Sequence, residues 1–111
     1  MPKTHKPILT ESIVTPTNIN ELMFIGFDGN YCQANAKALG VSAVTMDQGQ
    51  MAPVHISGVL LVTASTAITI GSKVASDANG FAVPYTTGES NGYALDNAAN
   101  PGDIIRLVRG I

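Results

Sequence analysis

Cysteine occurs once in this chain of 111 residues, at Cys32. One thiol excludes an internal disulfide framework. It also leaves no zinc site, because His5 and His55 have no cysteine or second histidine at a matching spacing. Charge is scarce too: only 13% of residues are Asp, Glu, Lys or Arg, about half the typical share. The six basic and eight acidic residues form no basic run, so nucleic-acid binding has no electrostatic footprint. The longest apolar runs, GVLLV and LMFIGF, are too short to span a membrane. The opening MPKTHKPILTES has charge but no apolar h-region, which argues against a secretory signal. No N-x-S/T sequon occurs. Together these absences predict a protein made in a reducing compartment and held together by packing.

What is present points to one folded domain. Apolar residues make up 45% of the chain, too many for disorder. A chain of this size buries roughly 65% of its unfolded surface, enough for a single core. With so few charges, Thr, Ser, Asn, Ala and Gly cover much of the surface, as on a protein that expects to be covered by others.

Residues 1–20 stand apart from the rest. They carry Pro2, Pro7 and Pro16 and no glycine. Proline disfavours helix and interior strand. The expectation is an extended arm with at most one edge strand, its apolar Ile8, Leu9, Ile13 and Val14 docking on a neighbouring surface.

Residues 21–111 read as a single all-β domain, a small barrel or sandwich of short antiparallel strands. LMFIGF, YCQANA, LGVSAVTM, APVHISGVLLVTA, AITIGSKVAS, FAVPYT, NGYALD and DIIRLV are the candidate strands. DGN, DQGQ and DANG between them are turn sequences suited to positive φ. Val/Ile/Thr-rich segments with turn signals every eight to twelve residues are the pattern of such folds. Only ANAKALG and LDNAANPG could be helical, for about two turns at most.

The glycines repeat. Gly29, Gly40, Gly49 and Gly58 find counterparts in Gly80, Gly92, Gly102 and Gly110, which suggests an internal duplication of residues 24–58 in residues 74–110. Gly29, Gly80, Gly92 and Gly102 are the expected structural turns. LMFIGF, GVLLV and DIIRLV alternate poorly for half-exposed strands. Their second face is therefore expected to be covered by the arm, a symmetry mate or a partner.

No set of residues makes an active site. Cys32 lies in NYCQ, a strand context where cysteine behaves as a small hydrophobe. Asp77, Asn79 and Gly80 begin like a calcium loop, but Phe81 and Val83 fall where oxygen ligands are needed. TTGESNG has no lysine and no following helix, so it is not a phosphate loop. The carboxylates Glu11 with Glu21, and Asp96 with Asp103, lack a framing His or Arg. The expectation is no catalysis, no metal and no cofactor.

One resemblance spans roughly residues 13–108. The order GV-x-A…G, then AITIGSKV-x-SD-x-x-G, then GYALD-x-AA-x-x-GDIIRL resembles the head-decoration, or capsid cement, family of tailed bacteriophages. The matching positions are Gly40, Val41, Gly49, Gly58, Ile70, Gly71, Val74, Asp77, Gly80, Gly92, Ala94, Leu95, Ala99, Gly102, Asp103 and Leu107. The long proline-containing arm and the polar loop Asn97–Asn100 depart from the pattern. The resemblance implies a β-barrel-like protein on the outer surface of the expanded capsid, made in the host cytoplasm. It implies the major capsid protein as partner and self-association, a trimer before a dimer. It implies no nucleic-acid or membrane partner. The alternative is another virion structural part, such as a tail or spike accessory. The arm residues Ile8, Leu9, Ile13 and Val14 then become the expected anchors on the capsid or on a neighbouring copy.

Overall fold

A single long strand organises the molecule. The computed structural model describes residues 6–110, and His5 lies outside them. APVHISGVLLVTA, a candidate strand in the sequence, supplies twelve of the 13 residues of one strand, β4 (Met51–Thr63). Its core-facing Ala52, Val54, Leu60 and Val62 are buried, while Pro53, Leu61 and Thr63 between them are half-buried. Near its middle Gly58 takes φ 104°, and the backbone of Lys6 and Ile8 passes directly over it. A side chain there would strike both, so only glycine lets the two strands close.

The other strands gather on the edges of β4. β1 (Lys6–Val14) pairs antiparallel with residues 51–59. β3 (Gly40–Ser42) pairs with Val54 and His55, and β8 (Ile104–Arg109) with residues 58–63. His55 is paired with both Thr10 and Val41, and Gly58 with both Pro7 and Arg109. So β1 holds one edge, and β3 and β8 share the other. β2 (Phe24–Ile25) extends the sheet beyond β3, and β7 (Tyr93–Ala94) beyond β8. β5 (Val74–Ser76) and β6 (Ala82–Pro84) make a separate hairpin.

The fold is all-β, and no described residue is helical. ANAKALG and LDNAANPG, the two helical candidates, are bends, turns and an isolated bridge. Several expected strands are shorter than their apolar runs. LMFIGF yields only β2, because Gly80 and Cys32 take the backbone bonds of Phe24, and around it Met23, Phe24 and Ile25 are all buried, enclosed on both sides. That enclosure also explains its lack of alternation. The core gathers Phe24, Val41, Leu60, Val62, Val74, Ile105 and Leu107, each 0–1% exposed. Burying an aliphatic side chain of this size stabilises by roughly 1.5–3 kcal/mol.

The fork where β3 and β8 part is closed by one side chain. Arg109 donates through Nη1 to the carbonyls of Leu39 (2.6 Å) and Ile56 (3.3 Å), and through Nη2 to that of Ala38. Those three carbonyls flank the gap between two strands on one edge. Unpaired buried carbonyls are costly, and the guanidinium supplies several donors in a fixed fork.

The same ladder occurs twice. Thr15 N donates to Gln50 O and Gly49 N to Thr15 O; Ala64 N donates to Asp103 O and Gly102 N to Ala64 O. Ile19 and Met46 exchange two bonds, as do Ile68 and Ala98. The pairs Val14–Met51, Ile13–Ala52 and Glu11–Val54 have counterparts in Thr63–Ile104, Val62–Ile105 and Leu60–Leu107. β4 thus serves as last strand of the first ladder and first strand of the second.

Candidate functional site

The four glycines expected at turns differ in what holds them, and Gly92 stands directly before β7 rather than in a turn. All have positive φ, from 81° at Gly80 to 140° at Gly92. In DANG, Asp77 Oδ1 accepts from the amides of Asn79 (2.8 Å) and Phe81 (3.0 Å). This is an Asx turn, and Asp77 also accepts from Ser65 Oγ, so its carboxylate is spent on the turn. A Cβ on Gly80 would come 2.7 Å from Phe24 O. A Cβ on Gly29 would meet Pro16 Cδ at 2.9 Å, so the DGN turn seats the base of the arm. Gly102 has open space around it.

The arm carries several exposed apolar groups, and Phe27 beside the DGN turn is another, 71% exposed. Ile8 is 85% exposed, Leu9 49% and Val14 59%, while Ile13 is half-buried. The register shifts on either side of Leu9, so the strand is irregular around Ile8 and Leu9. β1 therefore adds to the edge of β4 with both its faces open, and it covers neither face of the sheet. Of the three coverings expected for the second face, the arm is not one: Val59, Leu61 and Val108 stay half-exposed beside Tyr93 and Ile104.

The two ladders make that openness measurable. Leu60 and Val62 in β4 are fully buried. Glu11 and Ile13 hold the same ladder positions in β1, and are exposed and half-buried. β1 repeats a core strand without the core.

The groups that chemistry would need are placed for structure. Cys32 is buried, and burial pushes its thiol pKa up, against formation of a nucleophilic thiolate. His55 is nearly buried in β4, between Thr10 and Val41. No three described His, Cys, Asp or Glu side chains are grouped to hold a metal ion. The expectation that Asp96 has no framing Arg is corrected: it takes Arg106 in a bidentate pair, with Nε at 3.0 Å and Nη2 at 2.9 Å, and also accepts the Arg106 amide, because their hairpin brings the two together. Asp103 Oδ2 accepts from Ala99 N and Asn100 N. So the Asp96 and Asp103 carboxylates bind different partners within their own hairpin. No helix among the described residues is long and apolar enough to cross a membrane.

The comparisons fit a surface that works by contact. The family model of phage cement proteins matches residues 4–109. The chain belongs to the phage cement protein family. A cement protein decorates and stabilises the phage head, which makes this chain a structural component of the virion. Its fold is that of the head fiber gp8.5 N base in bacteriophage phi29. That match has a TM-score of 0.78 at 19% identity, over 92% of this chain and 93% of that one. No curated protein matches.

Sequence reasoning singled out the arm but missed two features of this surface. One is the Arg109 fork, whose partners lie 53 to 71 residues away. The other is the partner of the expected edge strand, since nothing local says that the arm pairs with β4. An arginine between Val108 and Gly110 carries no sign of either.

Proposed function

We propose that this cement protein sits on the outer surface of the expanded head and binds the major capsid protein and its own copies through β1. The observation that carries this reading is the nine-residue strand with both faces open, which gathers three exposed apolar side chains, Ile8, Leu9 and Val14, on one edge strand. Exposed apolar groups on an ordered strand lose contact with water only when a partner arrives. Strand addition is the matching mode, with main-chain bonds for affinity and alternate side chains for register. The Lys6 carbonyl and Ile8 amide face Gly58, so Pro7 turns its donorless nitrogen to the outer edge. Proline there blunts the edge and steers a partner strand towards residues 9–14.

Self-association about a closed axis, as a trimer, would cover the second face of the sheet around Val59 and Leu61. Repetition over the lattice then adds avidity to a modest single contact. No chemistry is required of such a protein. The repeated ladder supports reading the body as two copies of one unit, with the arm as the strand that the first copy leaves uncovered.

The test is co-sedimentation of the purified protein with expanded, undecorated heads, with unexpanded proheads as control. Saturable binding to expanded heads alone is expected. Equal binding to both, or to neither by a folded protein, overturns the reading.

A further inference from the structure

Three of the chain's six basic side chains face one cavity. Lys37, Lys73 and Arg109 line it with Ser90, Asn91 and Tyr93, and its volume is about 200 Å³. None of its described lining residues is acidic. Positive charge is thus collected in one recess of a chain whose net charge is −2.

All three cations rest on neutral groups. Lys37 Nζ donates to Ser90 O at 2.9 Å. The Lys73 ammonium stands 5.3 Å from the centroid of the Tyr85 ring. Arg109 donates to the carbonyls at the strand fork. Burial draws the Arg109 pKa below its usual value, opposed only by the charge of Cys32, as for a guanidinium removed from water with no carboxylate among the described residues to offset the loss. Two lysines held beside that guanidinium add repulsion, which an anion would relieve.

The place of the cavity says where the anion comes from. Tyr93 pairs with Val108, and Val108 with Val59, so the cavity lies at the end of a row running across β7, β8 and β4. That row is on the sheet face left half-exposed. A partner laid on the row would bring its own side chains to the mouth of the cavity. The recess is a single one rather than a stripe, so it does not track a phosphate backbone. It suits one or two carboxylates, each taken by lysine ammoniums and the remaining guanidinium edge.

We infer that the Lys37–Lys73–Arg109 cavity is a carboxylate seat that receives an acidic side chain of the head lattice. This rests on the reading of the chain as bound to the head. The seat adds a charged anchor to the apolar contact made by β1.

The test uses Lys37→Glu with Lys73→Glu, two exposed positions where the fold should be retained, as a melt would verify. First, hexaglutamate peptide is titrated into the labelled full chain and amide shifts are followed by NMR. Shifts centred on Lys37, Ser90–Tyr93 and Arg109 are expected, and they should vanish in the double variant. No shifts, or equal shifts in the variant, overturn the seat. Second, both proteins are co-sedimented with expanded heads. The variant should bind at least about tenfold more weakly and with a shallower salt dependence. Unchanged affinity, or a variant that fails only to self-associate, overturns the lattice as the source. Wild-type protein that binds the peptide but not heads overturns the head reading and leaves the seat standing.

Discussion

Thr15 and Ala64 hold the same place in two hydrogen-bond ladders. Each accepts from a glycine amide at 2.7 Å, Gly49 for Thr15 and Gly102 for Ala64, and each donates to the residue after that glycine. The two glycines have φ of 86° and 90°, and a Cβ on either would meet open space. Their cost of substitution is then purely conformational. Gly49→Ala and Gly102→Ala should each destabilise by about 1–2 kcal/mol. Urea unfolding should give the same figure for both within about 0.5 kcal/mol, with additivity in the double variant. Gly80→Ala should cost more, because its Cβ would also strike Phe24 O.

Arg106 and Arg109 both lie on β8, and their substitutions should differ in cost. Arg109→Met removes the donors for the carbonyls of Ala38, Leu39 and Ile56, and should cost about 2–4 kcal/mol. Arg106 pairs with Asp96 but is 40% exposed in its side chain. Arg106→Met should therefore cost less than about 1 kcal/mol. Thermal melts of the two variants decide it, and equal losses would refute the role of Arg109 in closing the fork.

Cys32 predicts an alkaline weakness. Burial raises its folded pKa, so the unfolded chain releases the thiol proton first. The unfolded state then binds fewer protons than the native state, and stability falls as pH rises. The stabilisation is whole below about pH 8.5 and is lost above it, by at most about 1.4 kcal/mol per pH unit. Cys32→Ala abolishes that slope. The stability gap between wild type and variant should narrow between pH 8 and pH 10; a constant gap would contradict the burial account.

Much of this was legible in the sequence because it is local. DGN, DQGQ and DANG form turns with positive φ at Gly29, Gly49 and Gly80, since the demand for glycine is met within four residues. β8 is where DIIRLV places it, with Ile105 and Leu107 inward. What could not be read depends on distant pairing. LMFIGF looked like a six-residue strand and yields two residues of strand, because Gly80 and Cys32 take the bonds of Phe24. The site was half legible. Ile8, Leu9 and Val14 were visible as apolar groups among prolines, but their exposure depends on β1 lying along β4. The cationic cavity gave no signal, because Lys37, Lys73 and Arg109 are scattered singly and only the fold brings them together.

The arm should separate binding from folding. Ile8→Ser, Leu9→Ser and Val14→Ser change exposed side chains, and together should shift stability by no more than about 1 kcal/mol. The triple variant should melt like wild type and bind expanded heads at least about tenfold more weakly. Loss of folding in the variant would mean that the arm is part of the core, against its exposure.

The central claim is that this β body cements the head, and the direct measurement is heat-induced DNA release from undecorated, filled heads with and without added protein. Saturating wild-type protein should raise the release temperature, in proportion to the copies bound. Release at the same temperature, with the protein shown to be bound, would contradict the account.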